Sequence, residues 1–317
     1  MLTCLLSLRR LLVIFSVLLT TAAQAQRSGR LPANGPTTLL TSDSVQLYVQ
    51  VAGQGKTPCV FVHGGPGAGS YAFEKLGGNR LEDQLRMVYY DQRGSGRSAS
   101  PRRPSYAMAR MVQDLEELRQ HLGLERWVLM AHSFGGTIAT AYAAQYPQRV
   151  QALVLVNAVL NPPASLESMV QYGTSLLPAA AQPSPGLPML QRVGMVMSAL
   201  QQQKLAWQLQ FSADSLAARA GRVARAVPAN QDFARQVFGG QLPDYGRDYS
   251  AATAALRMPV LNIIGQDDHT TGAAPGTFQF PQQQTVVLPG KHNSFLEQPA
   301  AFRQAVISFV QKLPRPL

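Results

Sequence analysis

Apolar and polar residues alternate over 45–51 (Val-Gln-Leu-Tyr-Val-Gln-Val), the period of a half-buried antiparallel strand. Further along, the pattern changes to short unbroken apolar runs at 59–62, 87–90, 127–130, 152–156, 260–264 and 285–288. Runs of that length with no polar face suit parallel strands covered on both sides. Helical periodicity fills several of the gaps: 111–122 carries Leu115, Leu118 and Leu122 on one face, and 135–146 is a second candidate. Strand alternating with helix predicts an α/β fold built on a mostly parallel sheet.

The alternation stops between 158 and 255. That stretch is rich in Ala, Gln, Pro and Met, its apolar segments read as helices and loops, and strand signals return only at Val260. An insertion of this size between two core strands predicts a helical cap over 158–255, laid on a core made of 38–157 and 256–317. The polar segment 26–37, with Gly29, Pro32, Gly35 and Pro36, is expected to be a flexible lead-in.

The first 25 residues stand apart. Arg9 and Arg10 precede an apolar run at 11–19, which ends in small residues and Ala23-Gln24-Ala25. Positive charge, a short apolar stretch and an A-x-A site make a secretory signal peptide, with cleavage expected after Ala25. The mature chain is then expected in the periplasm or outside the cell, with no stable membrane association. Cleavage removes Cys4 and leaves Cys59 alone, so no intramolecular disulfide can form. With 46% of its 317 residues hydrophobic, the chain has enough apolar material to be held by its core.

Composition narrows the partners. The formal net charge is +11, two units of which are Arg9 and Arg10. Apart from Arg93, Arg97, Arg102 and Arg103 the positive residues are scattered. They do not interleave with aromatic side chains as a nucleic-acid groove requires. The five histidines (63, 121, 132, 269 and 292) lack zinc-ligand spacing and no H-E-x-x-H occurs, so neither a metal nor another cofactor is expected.

The candidate chemistry lies where strands end. Ala131-His132-Ser133-Phe134-Gly135-Gly136 follows the run at 127–130 and precedes a helical stretch. It reads as the strand–nucleophile–helix elbow G-x-S-x-G, with Ala131 in place of the first glycine. Small neighbours are needed because the turn is tight. His63-Gly64-Gly65-Pro66-Gly67 follows the run at 59–62, where a glycine loop can offer a backbone N–H to a developing oxyanion. Gly65 and Phe134 are therefore the candidate oxyanion donors. No Lys follows these glycines, which excludes a Walker phosphate loop. Asp91-Gln92-Arg93-Gly94-Ser95-Gly96-Arg97-Ser98 matches a dinucleotide fingerprint only weakly. Pro101 and Pro104 oppose the helix such a fingerprint opens, so a tight charged loop at the pocket rim is expected.

Ile263-Ile264-Gly265-Gln266-Asp267-Asp268 places two acids past another strand, either able to orient an imidazole; Asp268, three after Gly265, is the preferred one. His292 follows the last strand in Leu288-Pro289-Gly290-Lys291-His292. Taken singly, a loop histidine is more often solvent-exposed than catalytic. Ser133, Asp268 and His292 together have the chain order of a Ser–Asp–His hydrolase, each after a predicted strand. In that reading His292 takes the Ser133 proton, Asp268 orients the imidazole, and an acyl-enzyme forms and is released by water.

With H-G-G-P-G at 63–67, D-Q-R-G-S-G-R-S at 91–98, H-S-F-G-G at 132–136, G-Q-D-D at 265–268 and K-H at 291–292, the chain resembles the α/β-hydrolase superfamily. Within it, the pairing of the first two motifs resembles the proline iminopeptidase family. The resemblance spans roughly 40–160 and 255–315. It implies an eight-stranded, mostly parallel sheet with a helical cap, and cleavage of N-terminal proline from peptides. It also implies cap carboxylates for the substrate's amino terminus, often in a Trp-Glu pair. The cap here has Trp207-Gln208, and its acids are Glu167, Asp214, Asp232, Asp244 and Asp248.

The expected activity is thus that of an exported serine hydrolase acting on a small molecule or short peptide, aminopeptidase-like, with a carboxylesterase or lactonase as the alternative on the same residues. A serine at 133 argues against dehalogenase or epoxide hydrolase chemistry, where an aspartate nucleophile is expected. The third class is a non-catalytic binding protein of hydrolase shape, which a serine-directed fluorophosphonate would not label.

Overall fold

The computed structural model of the protein describes residues 32–240 and 242–314. The leader expected over 1–25 lies outside them, as do residues 26–31.

The first element corrects the sequence reading. The lead-in expected over 26–37 gives way at Gly35, where β1 (Gly35–Leu40) begins and runs antiparallel to β2 (Gln46–Ala52), with Leu39 opposite Leu47. A strand at the edge of a sheet needs few apolar residues and tolerates Pro36. Leu39 is buried, whereas Leu40 is 67% exposed. The Thr41 hydroxyl accepts from the Val45 N–H at 2.9 Å, and Ser44 takes a positive φ of 65° to close the hairpin.

Six further strands complete the sheet: β3 (Thr57–Val62), β4 (Leu85–Tyr90), β5 (Trp127–His132), β6 (Val150–Val156), β7 (Val260–Gly265) and β8 (Gln283–Leu288). Their order is β1-β2-β4-β3-β5-β6-β7-β8, antiparallel through β1, β2 and β4 and parallel from β4 to β8. The carboxyl ends of β3 to β8 therefore open on one edge. Ser133, Asp268 and His292 all follow strands that end there.

The unbroken apolar runs are explained by two covered faces. Val60, Val62, Leu129 and Ala131 join the core beneath α2 (Met108–His121) and α3 (Gly135–Gln145). Cys59, Phe61, Val128 and Met130, one residue out of phase, join the core of α1 (Tyr71–Leu76) and the C-terminal helix Pro299–Val310. Each of the valine, leucine, phenylalanine and methionine side chains among them contributes roughly 1.5–3 kcal/mol on burial. Cys59 is fully buried, and burial pushes its thiol up to about 12, so it is packing material and not a nucleophile.

Between β6 and β7 the described chain forms helices and turns: α4 (Pro162–Ser175), α5 (Met189–Gln202), α6 (Asp214–Ala224) and α7 (Asp232–Phe238), joined by 3₁₀ turns. Val170, Leu177, Val193, Val196, Leu200 and Leu209 form a hydrophobic cluster of their own there. The segment lies over the carboxyl ends of the strands. Gly96 and Asn230 exchange backbone hydrogen bonds of 3.1 and 2.9 Å, the Phe233 N–H donates to the Gly94 carbonyl at 3.0 Å, and the His292 N–H donates to the Gln210 carbonyl at 3.2 Å.

The loop at 91–98 is not the charged rim that its composition suggests. Arg93 is fully buried, forked onto Asp114 at 2.6 and 2.7 Å and onto Asp43 at 2.8 and 2.9 Å. Asp91 is also buried, accepting from the Ser70 N–H and hydroxyl at 2.7 Å and from Arg97 Nε at 2.7 Å. The Arg97 guanidinium in turn lies 3.7 Å over the Tyr48 ring. A run of charges reads as solvated surface until its partners, here up to 50 residues away in sequence, are known. No helix opens on Gly94 or Gly96; α2 starts only at Met108.

Two short helices follow β8 and close the chain: α8 (Ser294–Glu297) and α9 (Pro299–Val310).

Candidate active site

Ser133 sits where β5 turns into α3, with φ of +53°, a conformation a non-glycine residue adopts only when its surroundings enforce it. They do so from β6 and its exit. The Ser133 N–H donates to the Val156 carbonyl at 3.1 Å, and its carbonyl accepts from the N–H groups of Gly136 and Val159, each at 2.9 Å. The glycine after Phe134 is required sterically: a Cβ on Gly135 would lie 2.2 Å from the Val62 carbonyl oxygen. Without that side chain, α3 can start close against β3.

The three residues singled out in sequence meet. His292 Nε2 is 2.8 Å from Ser133 Oγ, and His292 Nδ1 is 2.9 Å from Asp268 Oδ2 and 3.1 Å from Oδ1. Ser133, Asp268 and His292 are all buried, at 7%, 5% and 2% exposure. Asp267 is exposed, which decides between the two adjacent acids.

Asp268 is surrounded by donors. Besides His292, it accepts from Asn157 Nδ2 at 2.8 Å, the Thr271 hydroxyl at 2.8 Å, the Thr270 N–H at 2.9 Å and the Thr271 N–H at 3.2 Å. Burial pushes its carboxyl up, but the His292 imidazole and the Asn157 and Thr271 hydrogen bonds outweigh burial and hold it well below the ordinary carboxylate range. An ionised Asp268 accepts from Nδ1–H, so in the neutral imidazole Nε2 carries no proton and faces the Ser133 hydroxyl.

The glycine loop runs against this elbow. A Cβ on Gly64 would lie 2.8 Å from Ser133 Cβ and 3.4 Å from the Phe134 nitrogen, and Gly65 has φ of +116°, open to glycine alone. Phe134 is the residue from which α3 starts. His63 is structural. Its Nε2 accepts from the Gln92 N–H at 3.0 Å, which leaves the proton on Nδ1, 2.9 Å from the Gly64 carbonyl. Burial keeps it below the ordinary histidine range.

Three neighbours of the relay were not singled out as site residues from sequence. His132 Nε2 lies 3.0 Å from the His292 carbonyl, and the two rings are 5.0 Å apart. Burial, helped by the proximity of His292, pushes His132 down to about 3, so it is a neutral donor. Lys291 donates from Nζ to the Gln208 carbonyl at 2.5 Å and to Tyr172 Oη at 2.9 Å, fastening the histidine loop to α4 and to the turn at Trp207. Asn157 ends β6. Its sequence signal is a polar residue closing an apolar run at the edge where the other candidates lie.

Residues 57–299 match the family described as alpha/beta hydrolase fold. The chain belongs to that family. Among curated relatives, the proline iminopeptidase of Neisseria meningitidis serogroup A is 40% identical over 124 residues, 37% of this chain and 38% of the relative. That of Xylella fastidiosa strain Temecula1 is 37% identical over 142 residues, 44% of each. The chain thus spans less than half the length of the relatives it matches. Among solved structures, a proline iminopeptidase-related protein from Thermus thermophilus superposes with a TM-score of 0.74 at 24% identity, covering 89% of this chain and 99% of that one. An esterase from Exiguobacterium antarcticum does so with a TM-score of 0.65 at 20% identity, covering 87% and 99%. At these identities the likeness is one of fold. The chain is an α/β-hydrolase resembling proline iminopeptidases.

The cap acids have local partners. Glu167 faces Arg192 at 3.3 Å, Asp232 pairs with Arg235 at 3.3 Å and accepts from the Tyr106 hydroxyl, Asp244 faces Arg247 at 3.4 Å, and Asp248 accepts from Asn161 at 2.9 Å. Asp214 is exposed at the start of α6. Among the described residues, none of the five is hydrogen-bonded to the Ser133–His292–Asp268 series. Among the described residues, no group of three His, Cys, Asp or Glu side chains is placed to hold a metal ion, and no helix is long and apolar enough to cross a membrane.

Proposed function

We propose that the protein is an exported serine hydrolase that works through an acyl-enzyme, with Ser133 as nucleophile, His292 as general base and then acid, and Asp268 as the acid that orients and stabilises the imidazolium. The observation that carries this reading is the unbroken series Oγ–Nε2 at 2.8 Å and Nδ1–Oδ2 at 2.9 Å. His292 takes the Ser133 proton as Oγ attacks the substrate carbonyl, and returns it to the leaving group. The N–H groups of Gly65 and Phe134 receive the oxyanion, and losing one such donor costs about 100- to 1,000-fold in rate. Water deprotonated by His292 then releases the acid.

The substrate is a small molecule or short peptide, and the activity is aminopeptidase-like. The support is the 37–40% identity to proline iminopeptidases over the matched segments. One observation favours a second reading, a carboxylesterase on the same residues. Where the resemblance implies an acid beside Trp207, the chain carries the neutral Gln208, and the main-chain carbonyl of that residue already accepts from the Lys291 ammonium. A second ammonium there would be repelled. The expected location remains periplasmic or extracellular, from the leader at 1–25.

The test is hydrolysis of prolyl-p-nitroanilide beside p-nitrophenyl acetate and butyrate, by the mature protein and by Ser133→Ala. Anilide turnover lost in Ser133→Ala supports the aminopeptidase; ester turnover alone, lost in the same variant, supports the esterase. Turnover that survives in Ser133→Ala would overturn the serine mechanism.

A further inference from the structure

Asn157 stands at a junction that no motif marks. It is fully buried, and its φ of +46° places it among four non-glycine residues with positive φ in the described chain, Ser133 being another. Its N–H and both polar atoms of its side chain are engaged. The N–H donates to the Ile263 carbonyl at 2.8 Å. One amide hydrogen goes to Asp268 Oδ2 at 2.8 Å and the other to the Lys291 carbonyl at 3.2 Å, while Oδ1 accepts from the Ser294 hydroxyl at 2.7 Å. The amide orientation is fixed by chemistry. The Lys291 carbonyl can only accept, an ionised Asp268 can only accept, and the Ser294 hydroxyl supplies the donor on the other side. Asn157 therefore links the exit of β6 to the acid loop after β7 and to the residue that immediately precedes His292.

We infer that Asn157 is a positioning residue for the Ser133–His292–Asp268 relay. It holds Asp268 ionised and aimed at His292 Nδ1, and it fixes the spacing between the acid loop and the histidine loop. The inference rests on the serine-hydrolase reading above. A carboxamide performs this role where a carboxylate of the same shape cannot. An aspartate at 157 would set a second acceptor 2.8 Å from Asp268 Oδ2 and 3.2 Å from the Lys291 carbonyl. The two carboxyls would have to share a proton. While the proton is shared the pair carries no more charge than Asp268 alone; once it is lost, the added negative charge beside His292 favours imidazolium, so the base works only at higher pH.

Two variants test this. Asn157→Asp keeps the shape, and Asn157→Gly keeps the positive φ while deleting the amide. With the mature enzyme and whichever chromogenic substrate it turns over, kcat/KM is measured from pH 5 to 10, beside the fluorophosphonate labelling rate of Ser133 and the melting temperature. In Asn157→Asp the acid limb of the profile moves upward by about one pH unit or more. In Asn157→Gly kcat falls about 10- to 100-fold with KM little changed, the scale expected when a hydrogen bond to a charged group is lost. A profile and kcat equal to wild type in both variants, whatever their melting temperatures, overturns the inference. A melting point lowered in both with no change in pH profile makes Asn157 structural and overturns it equally. If instead Ser133→Ala retains turnover, the underlying reading fails, and the two failures are told apart.

Discussion

Asp268→Asn exchanges one oxygen for an NH2 group, and the donors around the side chain determine where that group must go. Oδ1 faces the backbone N–H groups of Thr270 and Thr271 at 2.9 and 3.2 Å, and neither can become an acceptor. The NH2 is therefore driven to the Oδ2 position, where its neighbours are the Thr271 hydroxyl at 2.8 Å, Asn157 Nδ2 at 2.8 Å and His292 Nδ1 at 2.9 Å. A hydroxyl can rotate to accept, and the Asn157 amide, one donor against the two backbone N–H groups at Oδ1, has to withdraw or turn over at the expense of its bond to the Lys291 carbonyl. His292 can accept at Nδ1 only by moving its proton to Nε2, the atom 2.8 Å from Ser133 Oγ. The base then presents a proton to the hydroxyl it should deprotonate. A trapped wrong tautomer costs on the order of 10⁴-fold in kcat, or about 5 kcal/mol of transition-state stabilisation. The assay is kcat and KM for the substrate identified with the Ser133→Ala control, with Asp267→Asn as comparison. Because Asp267 is exposed, its variant should stay within about twofold of wild type. A kcat for Asp268→Asn within about tenfold of wild type in a folded protein, or a greater loss in Asp267→Asn, would refute the tautomer argument.

Two further outcomes follow from the neighbours of the relay. His132 is neutral when folded, pushed from its ordinary 6.5 to about 3, so the unfolded chain binds the proton first. Its contribution to stability is full above about pH 6.5 and declines as pH falls toward 3. Replacing it in His132→Phe should flatten the loss of urea stability over that window and lower kcat, because the donor to the His292 carbonyl is gone; an unchanged slope would count against the neutral assignment. Lys291→Met removes the donor to Gln208 and Tyr172 but keeps an apolar stem. Amide exchange at 206–210 should then speed up by about 2- to 10-fold, with unchanged exchange across β5 as the internal reference. No change at 206–210 would show that the clasp does not hold the cap.

Ser133, Asp268 and His292 could be found in the sequence because each follows an apolar run and the fold brings the ends of those runs to one edge. Periodicity located strands and helices to within a few residues; the helix expected at 111–122, for instance, is Met108–His121. It failed at β1, where one buried leucine and two threonines look like a tail until β2 is placed beside them. It also could not show that these charges are neutralised internally: Arg93 is met by Asp114 from α2 and by Asp43 from the hairpin before β2, while Asp91 and Arg97 turn inward onto each other. Asn157 was visible only as a polar residue after an apolar run. Its partners, Asp268, the Lys291 carbonyl and the Ser294 hydroxyl, come from segments after β7 and β8, and local spacing contains no trace of them.

The insertion between β6 and β7 divides the relay along the chain. Ser133 precedes it, whereas Asp268 and His292 follow only after the roughly hundred residues of the insertion. Until β7 has paired onto β6 and β8 onto β7, Ser133 lacks the base and acid proposed for it, and its hydroxyl is as inert as any other serine. The sheet, not the local sequence, therefore brings the two halves of the proposed relay together, and a variant that unpairs β7 from β6 would leave Ser133 without either partner.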